Sequence, residues 1–200
     1  MLKMLIYLIS KEVIIMILGI CGKSCSGKST LSSELLSIYG SKAAYLDIDK
    51  VGHEVLELKK VQRALVKYYG SEIIENGEVN RKKLGEIVFK AKEEMQRLTN
   101  ITWPFMQDII DNFIDINRDK IIILDWLLLP KTKFFDMCDK KVFFDIPYEI
   151  RKERAIKRDK ITDAGFALRD SNAPAFDYDS FDIVLKNNEQ ETIEGVIKLL

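Results

Sequence analysis

Nine residues near the N-terminus, GKSCSGKST at positions 22–30, constrain the fold of this chain more than any other stretch. They follow the apolar run 13–20 and match the phosphate-loop pattern GxxxxGK[ST]. Between a buried strand and a helix N-terminus, such a loop directs backbone N–H groups and the positive end of the helix dipole towards a phosphate. The sequence therefore predicts a strand, a phosphate-binding loop and a helix over residues 28–39.

The loop residues divide into a backbone cradle and two side chains with defined roles. Lys28 is expected to reach the β- and γ-phosphates of ATP, and the Ser29 hydroxyl to complete the shell of a Mg²⁺ ion. The predicted nucleotide contacts of the loop are Gly22, Lys23, Ser24, Cys25, Ser26, Gly27, Lys28, Ser29 and Thr30. The alternative is an ordinary glycine-rich turn, which the flanking strand and helix disfavour.

Charge and cysteine content narrow the class of partner. The chain of 200 residues has 31 basic and 31 acidic residues, so its net charge is zero. This balance favours a small anionic substrate over nucleic acid as the partner. Its hydrophobic content of 47% supports a globular core with an inserted lobe. The three cysteines, Cys21, Cys25 and Cys138, are too few for a disulfide framework or a four-cysteine zinc site, and they favour a reducing cytoplasm.

The first residues of the chain are not expected to form a membrane segment. Residues 1–9 are apolar apart from Lys3, but they are too short for a transmembrane helix and lack the small-residue cleavage site of a signal peptide. Either residues 1–11 are a loosely attached extension or translation starts at Met16. In both cases, we expect truncation to Met16 to preserve a folded protein that binds ATP.

A pair of aspartates follows the second predicted strand. Residues 43–46 are apolar enough for a short buried strand, and Asp47 and Asp49 come directly after it. Because ligands of open α/β sheets bind at the carboxyl ends of the strands, at least one of these carboxylates is predicted to be functional. A solvated turn is the alternative. His53, the only histidine, is left unassigned, because a lone histidine at a helix start is more often a surface or cap residue than a catalyst.

The middle of the chain, residues 57–117, has helical periodicity and little strand signal. The residue before a proline avoids the α region, so Pro104 predicts a break near Trp103 and a second helix after it. This all-helical insertion would form a wall for a second substrate. Trp103 is predicted either to line that acceptor site or to be core at the helix break.

Strand signals return after the insertion. The run 121–124 ends in Asp125 and resembles a Walker B strand, whose carboxylate would hold Mg²⁺ through water; a capping role is the alternative. Further strands are predicted over 141–146 and 181–185, and a C-terminal helix over 189–200. This alternation predicts an α/β fold with a doubly wound parallel sheet.

Three arginines are expected on one face of the helix after Pro147. Arg151, Arg154 and Arg158 stand at i, i+3 and i+7, and a guanidinium fork matches the geometry of phosphate. We expect them to close over the transferring group. A solvated cationic face is the alternative.

The ordered motifs resemble the dephospho-coenzyme A kinase family, a family of phosphate-loop small-molecule kinases, from residue 17 to residue 188. They read GICGKSCSGKST, YLDIDKVGHEV, VNRKKLGEIVF, FFDIPYEIRKERAIKRD and FDIVLKNN. The resemblance implies transfer of the γ-phosphoryl of ATP to the ribose 3′-hydroxyl of dephospho-coenzyme A. It also implies a nucleotide-binding core (1–56 and 118–200), a helical substrate domain (57–117) and a lid at about 151–175.

The resemblance also implies roles for individual residues. Asp49 matches the second aspartate of the family's DxD motif, the catalytic base, and Arg158 with Asp159 matches the RD pair of the lid. Arg81 belongs to the RxxLGxxVF signature of the substrate domain, and Asn187 falls where the family places an asparagine beside adenine. The predicted catalytic residues are thus Asp49, Lys28 and Arg158; the substrate contacts are Asp49, Arg81 and Trp103; and the metal ligands are Ser29 and Asp125.

Three positions depart from the family pattern. Trp103 precedes Pro104 where the family has a histidine, Pro130 stands where glutamate is usual, and the glutamine expected near Ala173 is missing. These positions bear on the acceptor and the lid more than on the ATP phosphates. Two other interpretations stay open, a nucleoside-kinase-like enzyme and a drifted paralogue that binds ATP without this activity. We expect a monomer.

Overall fold

A mostly parallel β-sheet lies at the centre of the first structural unit. The computed structural model describes residues 16–171, 173–187 and 190–198. Within them the strands are β1 (Met16–Gly22), β2 (Ala43–Asp47), β3 (Ile74–Glu75), β4 (Glu78–Val79), β5 (Ile121–Asp125), β6 (Lys140–Phe144) and β7 (Ile183–Leu185). Five of them form one sheet in the order β2-β5-β1-β6-β7, with parallel pairing of β1 to β5, β1 to β6 and β6 to β7. The predicted doubly wound parallel sheet is confirmed.

Helices flank this sheet and also build the second unit. In chain order they are α1 (Lys28–Tyr39), α2 (Ile48–Glu57), α3 (Lys59–Tyr69), α4 (Arg81–Val88), α5 (Lys92–Ile116), α6 (Lys133–Asp136), α7 (Tyr148–Asp159), α8 (Asp163–Ser171) and α9 (Gln190–Ile197). The predicted helix after the loop is confirmed as α1, and it stops at Gly40, whose φ of 54° is unfavourable for other residues. Leu31 and Leu35 of α1 are fully buried against Ile20 and Phe144 in the sheet core.

The chain divides into two compact units, residues 1–46 with 117–200 and residues 47–116. The second unit starts at Asp47, ten residues before the start predicted for the insertion. The reason is that α2 carries an apolar face, including Val51 and Val55, and Gly52 packs against Met106 of α5. The side chains of α2 therefore fold with the helical unit, although the sequence pattern had assigned them to the nucleotide-binding core.

The break predicted at Pro104 is wrong, because α5 runs without interruption from Lys92 to Ile116. Pro104 lacks an N–H and cannot donate to the carbonyl four residues earlier, but one missing hydrogen bond does not end the helix. Thr102, Met106, Ile110 and Ile114 are buried along one face of α5. Their burial on both sides of the proline stabilises a continuous helix and outweighs the local preference.

The sequence predicts an all-helical insertion, but the second unit also contains a small β-hairpin. β3 and β4 pair antiparallel, with Ile74 opposite Val79. Between them Asn76 and Gly77 have φ values of 52° and 83°, the conformation of a type I′ turn. The Asn-Gly dipeptide is a hairpin signal, but each strand beside it has only two residues, Ile74–Glu75 and Glu78–Val79, which is too short to show the alternation typical of a strand.

Several expectations concern residues outside those described. The N-terminal extension, residues 1–11, and the first part of the predicted strand, residues 13–15, lie there, so their dispensability stays a prediction. Among the residues that are described, no helix is both long enough and apolar enough to span a bilayer.

Candidate active site

The phosphate loop adopts a backbone that few residues tolerate. Gly22, Cys25 and Gly27 have φ values of 148°, 62° and 103°. A Cβ atom at Gly22 would lie 2.8 Å from both the Phe144 Cβ and the Ser26 Oγ, so only glycine fits the end of β1. Positive φ values at these three positions curve the loop, and a loop that curves in this way turns backbone N–H groups towards one side, which creates an anion-binding concavity.

Lys28, the first residue of α1, contacts the first residue of the loop and the last residue of β5. Its Nζ donates a hydrogen bond to the Gly22 carbonyl at 2.9 Å and lies 3.9 Å from the Asp125 Oδ1. The Lys28 side chain is 14% exposed, so most of its stem is covered and its ammonium has few alternative positions. A triphosphate in the loop would offer this ammonium oxygens of greater charge than a carbonyl.

Asp125 is a buried carboxylate beside the loop. It ends β5, where the parallel register pairs it with Ile20, two residues before Gly22. It is 5% exposed and accepts a hydrogen bond of 3.1 Å from the Tyr45 hydroxyl. A short 3-10 helix, Leu129–Lys131, begins four residues after Asp125 with Leu128 at its N-cap. The metal-binding role and the capping role of Asp125 both stay predictions.

Ser29 lies in the first turn of α1 and is exposed to solvent. Within the described part of the chain, no group of three or more His, Cys, Asp or Glu residues is arranged to hold a metal ion. Mg²⁺ sites in phosphoryl-transfer enzymes commonly have only one or two protein ligands, and the remaining ligands are waters and substrate phosphates. One hydroxyl and one nearby carboxylate therefore fit a Mg²⁺ ion that arrives with a nucleotide.

Arg151 anchors α7 in this structure, and the nucleotide contact predicted for it stays a prediction. The solvated-face alternative is wrong for this residue, because only 4% of its side chain is exposed. Its Nε donates to the Ile146 carbonyl at 2.9 Å, and its NH1 donates to the Asp170 Oδ1 at 2.5 Å. A buried guanidinium needs such partners, and they hold it at the base of α7.

Asp170 joins this anchor to the phosphate loop. Its Oδ2 lies 3.3 Å from the Nζ of Lys23, so α8 is tied to both the loop and α7. Burial alone would raise the pKa of Asp170, but the hydrogen bond from Arg151 and the charges of Arg151 and Lys23 outweigh it, so the pKa is lowered. The carboxylate is therefore ionised when it meets Lys23.

Arg154 and Arg158, the other two arginines of α7, are divided between the loop and α8. The NH1 of Arg154 donates to the Cys25 carbonyl at 3.4 Å, which places its guanidinium at the phosphate loop; its contact with the nucleotide stays a prediction. Arg158 is 62% exposed and binds the adjacent Asp159, and Asp159 also accepts a 2.6 Å hydrogen bond from Arg169. Arg169 NH1 lies 3.5 Å from the Ser24 Oγ, so a further cation reaches the loop from α8.

Acid titration of Asp159 gives a testable pH dependence. Hydrogen bonds from Arg158 and Arg169 lower its pKa from 3.8 to about 2. A lowered pKa stabilises the folded state above the ordinary value, and the contribution is lost as pH falls through the folded value. We expect the melting-temperature difference between the unmodified protein and Asp159→Asn to be greatest above pH about 4 and to vanish near pH about 2.

Asp163→Asn is the matched control for this titration. The Asp163 carboxylate is on the same pair of helices but is 78% exposed, with its nearest cation, Lys152, 4.0 Å away. Scanning calorimetry from neutral to acidic pH should show little difference for this variant. A difference for Asp159→Asn that did not change with pH would contradict the ion-pair explanation.

Asn187 follows β7 and is exposed, at the edge of the sheet where β6 and β7 both end. Its neighbour Lys186 pairs with Asp145, which also accepts a 3.0 Å hydrogen bond from the Tyr178 hydroxyl. The hydrogen bond from Lys186 lowers the pKa of Asp145 more than its partial burial raises it. This cluster fixes the chain on either side of the position predicted to contact adenine.

The remaining predicted residues belong to the second unit. Asp47 caps α2, because its Oδ1 accepts a 3.1 Å hydrogen bond from the Lys50 N–H, whereas Asp49 is exposed in the first turn of that helix. Arg81 is exposed at the first position of α4. Trp103 is partly buried on α5, so it is neither fully core nor fully exposed.

The first unit thus brings together Lys28, Asp125 and Arg154 with the loop, and it adds two residues that the sequence reasoning missed. Asp170 and Arg169 contact Lys23 and Ser24 across about 145 positions of sequence. The only signal for Arg169 and Asp170 in the sequence is that they form a charged pair within the lid predicted at about 151–175. No local spacing rule connects residues so far apart.

Comparison with known proteins decides the family. A family model described as dephospho-CoA kinase matches residues 16–191. The chain belongs to the dephospho-CoA kinase family. The dephospho-CoA kinase of Fusobacterium nucleatum is 38% identical over 148 residues, which is 74% of this chain and 75% of that protein. That of Lactobacillus johnsonii is 30% identical over 160 residues, covering 78% and 79% of the two chains.

Solved structures agree on the fold of this dephospho-CoA kinase family member. The crystal structure of TT1252 from Thermus thermophilus has a TM-score of 0.78 at 21% identity, over 92% of this chain and 95% of that one. A dephospho-CoA kinase from Campylobacter jejuni has a TM-score of 0.61 at 21% identity, over 92% and 94%. The phosphate-loop kinase architecture implied by the motifs is therefore confirmed, and use of a nucleoside triphosphate follows from the family.

Proposed function

We propose that this protein transfers the γ-phosphoryl group of ATP to the ribose 3′-hydroxyl of dephospho-coenzyme A, giving coenzyme A and ADP. The observation that carries the proposal is the family match over residues 16–191 together with a phosphate loop whose lysine contacts Gly22 and Asp125. The family supplies the identity of the acceptor. The loop supplies the charge arrangement that phosphoryl transfer needs.

The nucleotide half of the reaction uses the loop and its cations. Backbone N–H groups of the loop hold the β-phosphate, and Lys28 moves from the Gly22 carbonyl to the β- and γ-phosphates. Arg154 and Arg158 stabilise charge on the transferring group, and Arg151 fixes the start of α7 beside them. Asn187 contacts the adenine.

A magnesium ion completes the nucleotide half. Ser29 would bind it directly and Asp125 through water, since the Asp125 carboxylate already accepts from Tyr45. When bound, this ion neutralises charge that develops on the phosphate oxygens.

The acceptor half uses residues of the second unit. Asp49 orients the ribose hydroxyl and accepts its proton as the oxygen attacks phosphorus. Arg81 and Trp103 bind the acceptor, Arg81 as a cation for its phosphates and Trp103 as a stacking surface for its nucleoside. The exposure of Asp49 and Arg81 at helix N-termini supports these roles.

We also propose that the protein acts in the cytoplasm as a monomer, without nucleic-acid or membrane partners. The three cysteines are free, and burial raises the pKa of Cys138 to about 12, which keeps it as a neutral thiol. Reduced cysteines suit a compartment that contains ATP.

A coupled assay of ADP release tests the proposed reaction. Purified protein with ATP and Mg²⁺ should release ADP rapidly only when dephospho-coenzyme A is present, with the product phosphorylated on the 3′-oxygen. A panel of nucleosides and other hydroxyl acceptors is the comparison. Turnover of a nucleoside but not of dephospho-coenzyme A would favour the nucleoside-kinase-like enzyme, and nucleotide binding without any turnover would favour the drifted paralogue.

Trp103 gives a prediction about acceptor recognition. Trp103→Ala should raise the KM for dephospho-coenzyme A and leave that for ATP nearly unchanged, because a stacking surface for the acceptor is lost. Trp103→His should retain or improve the activity. Steady-state kinetics with each substrate varied provides the measurement, and equal increases in both KM values would place Trp103 in the core instead.

A further inference from the structure

A groove of about 630 Å³ lies within the second unit, between the C-terminal end of α3 and the first turns of α5. Its lining residues are Tyr68, Lys92, Glu93, Gln96, Arg97, Asn100 and Ile101. Tyr68 is 53% exposed, so about half of its side chain is accessible to a ligand. The volume is in the range of small-molecule sites.

The walls of this groove are held in place by specific contacts. The Tyr69 hydroxyl donates to the Glu94 carbonyl at 3.0 Å and thereby joins the end of α3 to α5. Arg97 binds both carboxylate oxygens of Glu94, at 2.7 and 2.8 Å, and its guanidinium carbon lies 5.2 Å from the centre of the Tyr68 ring. The aromatic surface is therefore positioned before any ligand binds.

Charge and hydrogen-bonding capacity define the kind of ligand that fits. Lys92 and Arg97 are balanced by Glu93 and Glu94, so the groove has no excess charge to attract a phosphate. Gln96 and Asn100 form a side-chain amide pair with a 2.8 Å hydrogen bond. An uncharged chain that carries amide groups and apolar carbons matches this surface better than an anion does.

We propose that this groove binds the pantetheine arm of dephospho-coenzyme A. The proposal rests on the proposed function, which supplies an acceptor with such an arm: two amides, a hydroxyl, a pair of methyl groups and a terminal thiol, without charge at neutral pH. Tyr68 packs against the methyl-bearing carbons, and Gln96 with Asn100 pairs with the amides. The diphosphate and nucleoside of the acceptor lie outside the groove.

The geometry of α5 connects the groove with the predicted nucleoside site. Gln96, Asn100 and Trp103 stand at i, i+4 and i+7, so they share one face of the helix. From Lys92 to Ile101, the part of α5 that lines the groove, the helix rises about 14 Å. The extended arm is about as long as four extended residues, on the order of 14 Å. The arm can therefore lie along α5 in the groove, while the ribose and diphosphate join it to a base stacked on Trp103.

Two groove variants and one control variant test the assignment. Tyr68→Ala and Asn100→Ala remove exposed contacts, so neither change should unfold the unit. Ile116→Ala is the control, because Ile116 is 67% exposed on the same helix, at the end opposite to the groove. For each protein, the kinetic constants for dephospho-coenzyme A and ATP are measured, followed by inhibition at saturating ATP by 4′-phosphopantetheine and by adenosine 5′-monophosphate.

We expect Tyr68→Ala to raise the KM for dephospho-coenzyme A about tenfold, with kcat and the KM for ATP unchanged. Inhibition by 4′-phosphopantetheine, which contains the arm, should weaken in parallel, and inhibition by adenosine 5′-monophosphate, which lacks it, should not. Asn100→Ala should show the same pattern with a smaller change, and Ile116→Ala should match the unmodified protein.

The groove assignment is overturned if both groove variants keep the original KM for dephospho-coenzyme A, or if inhibition by the two fragments weakens equally. Either result would leave the proposed function intact, because the unmodified protein would still turn over dephospho-coenzyme A. Failure of the unmodified protein to phosphorylate dephospho-coenzyme A would instead contradict the proposed function. Calorimetric titration of 4′-phosphopantetheine separates the two cases, since binding that is lost in Tyr68→Ala supports the groove by itself.

Discussion

Replacing Asp49 with Asn is expected to lower turnover by about 10² to 10⁴ while ATP binding is retained. Asn has the same size as Asp and can still orient a hydroxyl group, but it cannot accept the proton that leaves when the ribose oxygen attacks phosphorus. Asp49 is exposed in the first turn of α2, where the helix dipole favours a negative charge. Single-turnover kinetics, with nucleotide binding measured separately by calorimetry, distinguishes a chemical defect from a binding defect.

Asp47→Asn is the matched control for this experiment. The Asp47 side chain caps α2 through the Lys50 N–H, and Asn caps helices about as well as Asp, so the fold of α2 should be kept. Turnover should therefore change much less than in Asp49→Asn. The reverse order of effects would assign the base to Asp47 and overturn the position-by-position comparison with the family.

Lys28→Ala is expected to lower kcat by about 10² to 10³, with a smaller loss of ATP affinity. The ammonium faces more negative charge in the transition state than in bound ATP, so its removal affects the chemical step more than binding. The substitution also removes the cation that lies 3.9 Å from the Asp125 carboxylate, which is expected to lie beside the triphosphate. Steady-state kinetics and equilibrium nucleotide binding together give the two quantities.

Lys23→Ala provides the comparison within the same loop. The Lys23 ammonium pairs with Asp170 and its side chain is 32% exposed, whereas the Lys28 ammonium contacts the Gly22 carbonyl and its side chain is 14% exposed. We expect Lys23→Ala to weaken the attachment of α8 to the loop and to reduce turnover less than Lys28→Ala. Wild-type turnover by Lys28→Ala would remove the phosphate loop from the mechanism.

The sequence predicted those features best that depend on residues close together in the chain. The pattern 22–30 requires glycine at two positions with positive φ and a lysine in the first helical turn, and all of these are found. The strand ending in Asp125 was likewise recognisable, since a continuous apolar run is typical of a buried parallel strand. Both features are determined within about ten residues, a range over which propensity and periodicity act directly.

Other features could not be inferred locally. Pro104 looked like a helix break, yet α5 continues through it with buried apolar residues on both sides. The three arginines of α7 looked equivalent, but Arg151 is buried against Ile146 and Asp170 while Arg158 is exposed. In each case the deciding factor is the burial that the fold imposes, which a one-dimensional pattern does not contain.

The sequence by itself determined the phosphate loop, the parallel sheet and the family of this protein. Only the tertiary structure decided which cations face the loop, that α2 belongs to the helical unit, and that Tyr68 and Asn100 line one groove. The physical reason is that backbone conformation is set mostly by neighbours in the chain. The burial and pairing of a side chain are set by whatever the fold brings within a few ångströms, and for Asp170 that includes Lys23, 147 positions away.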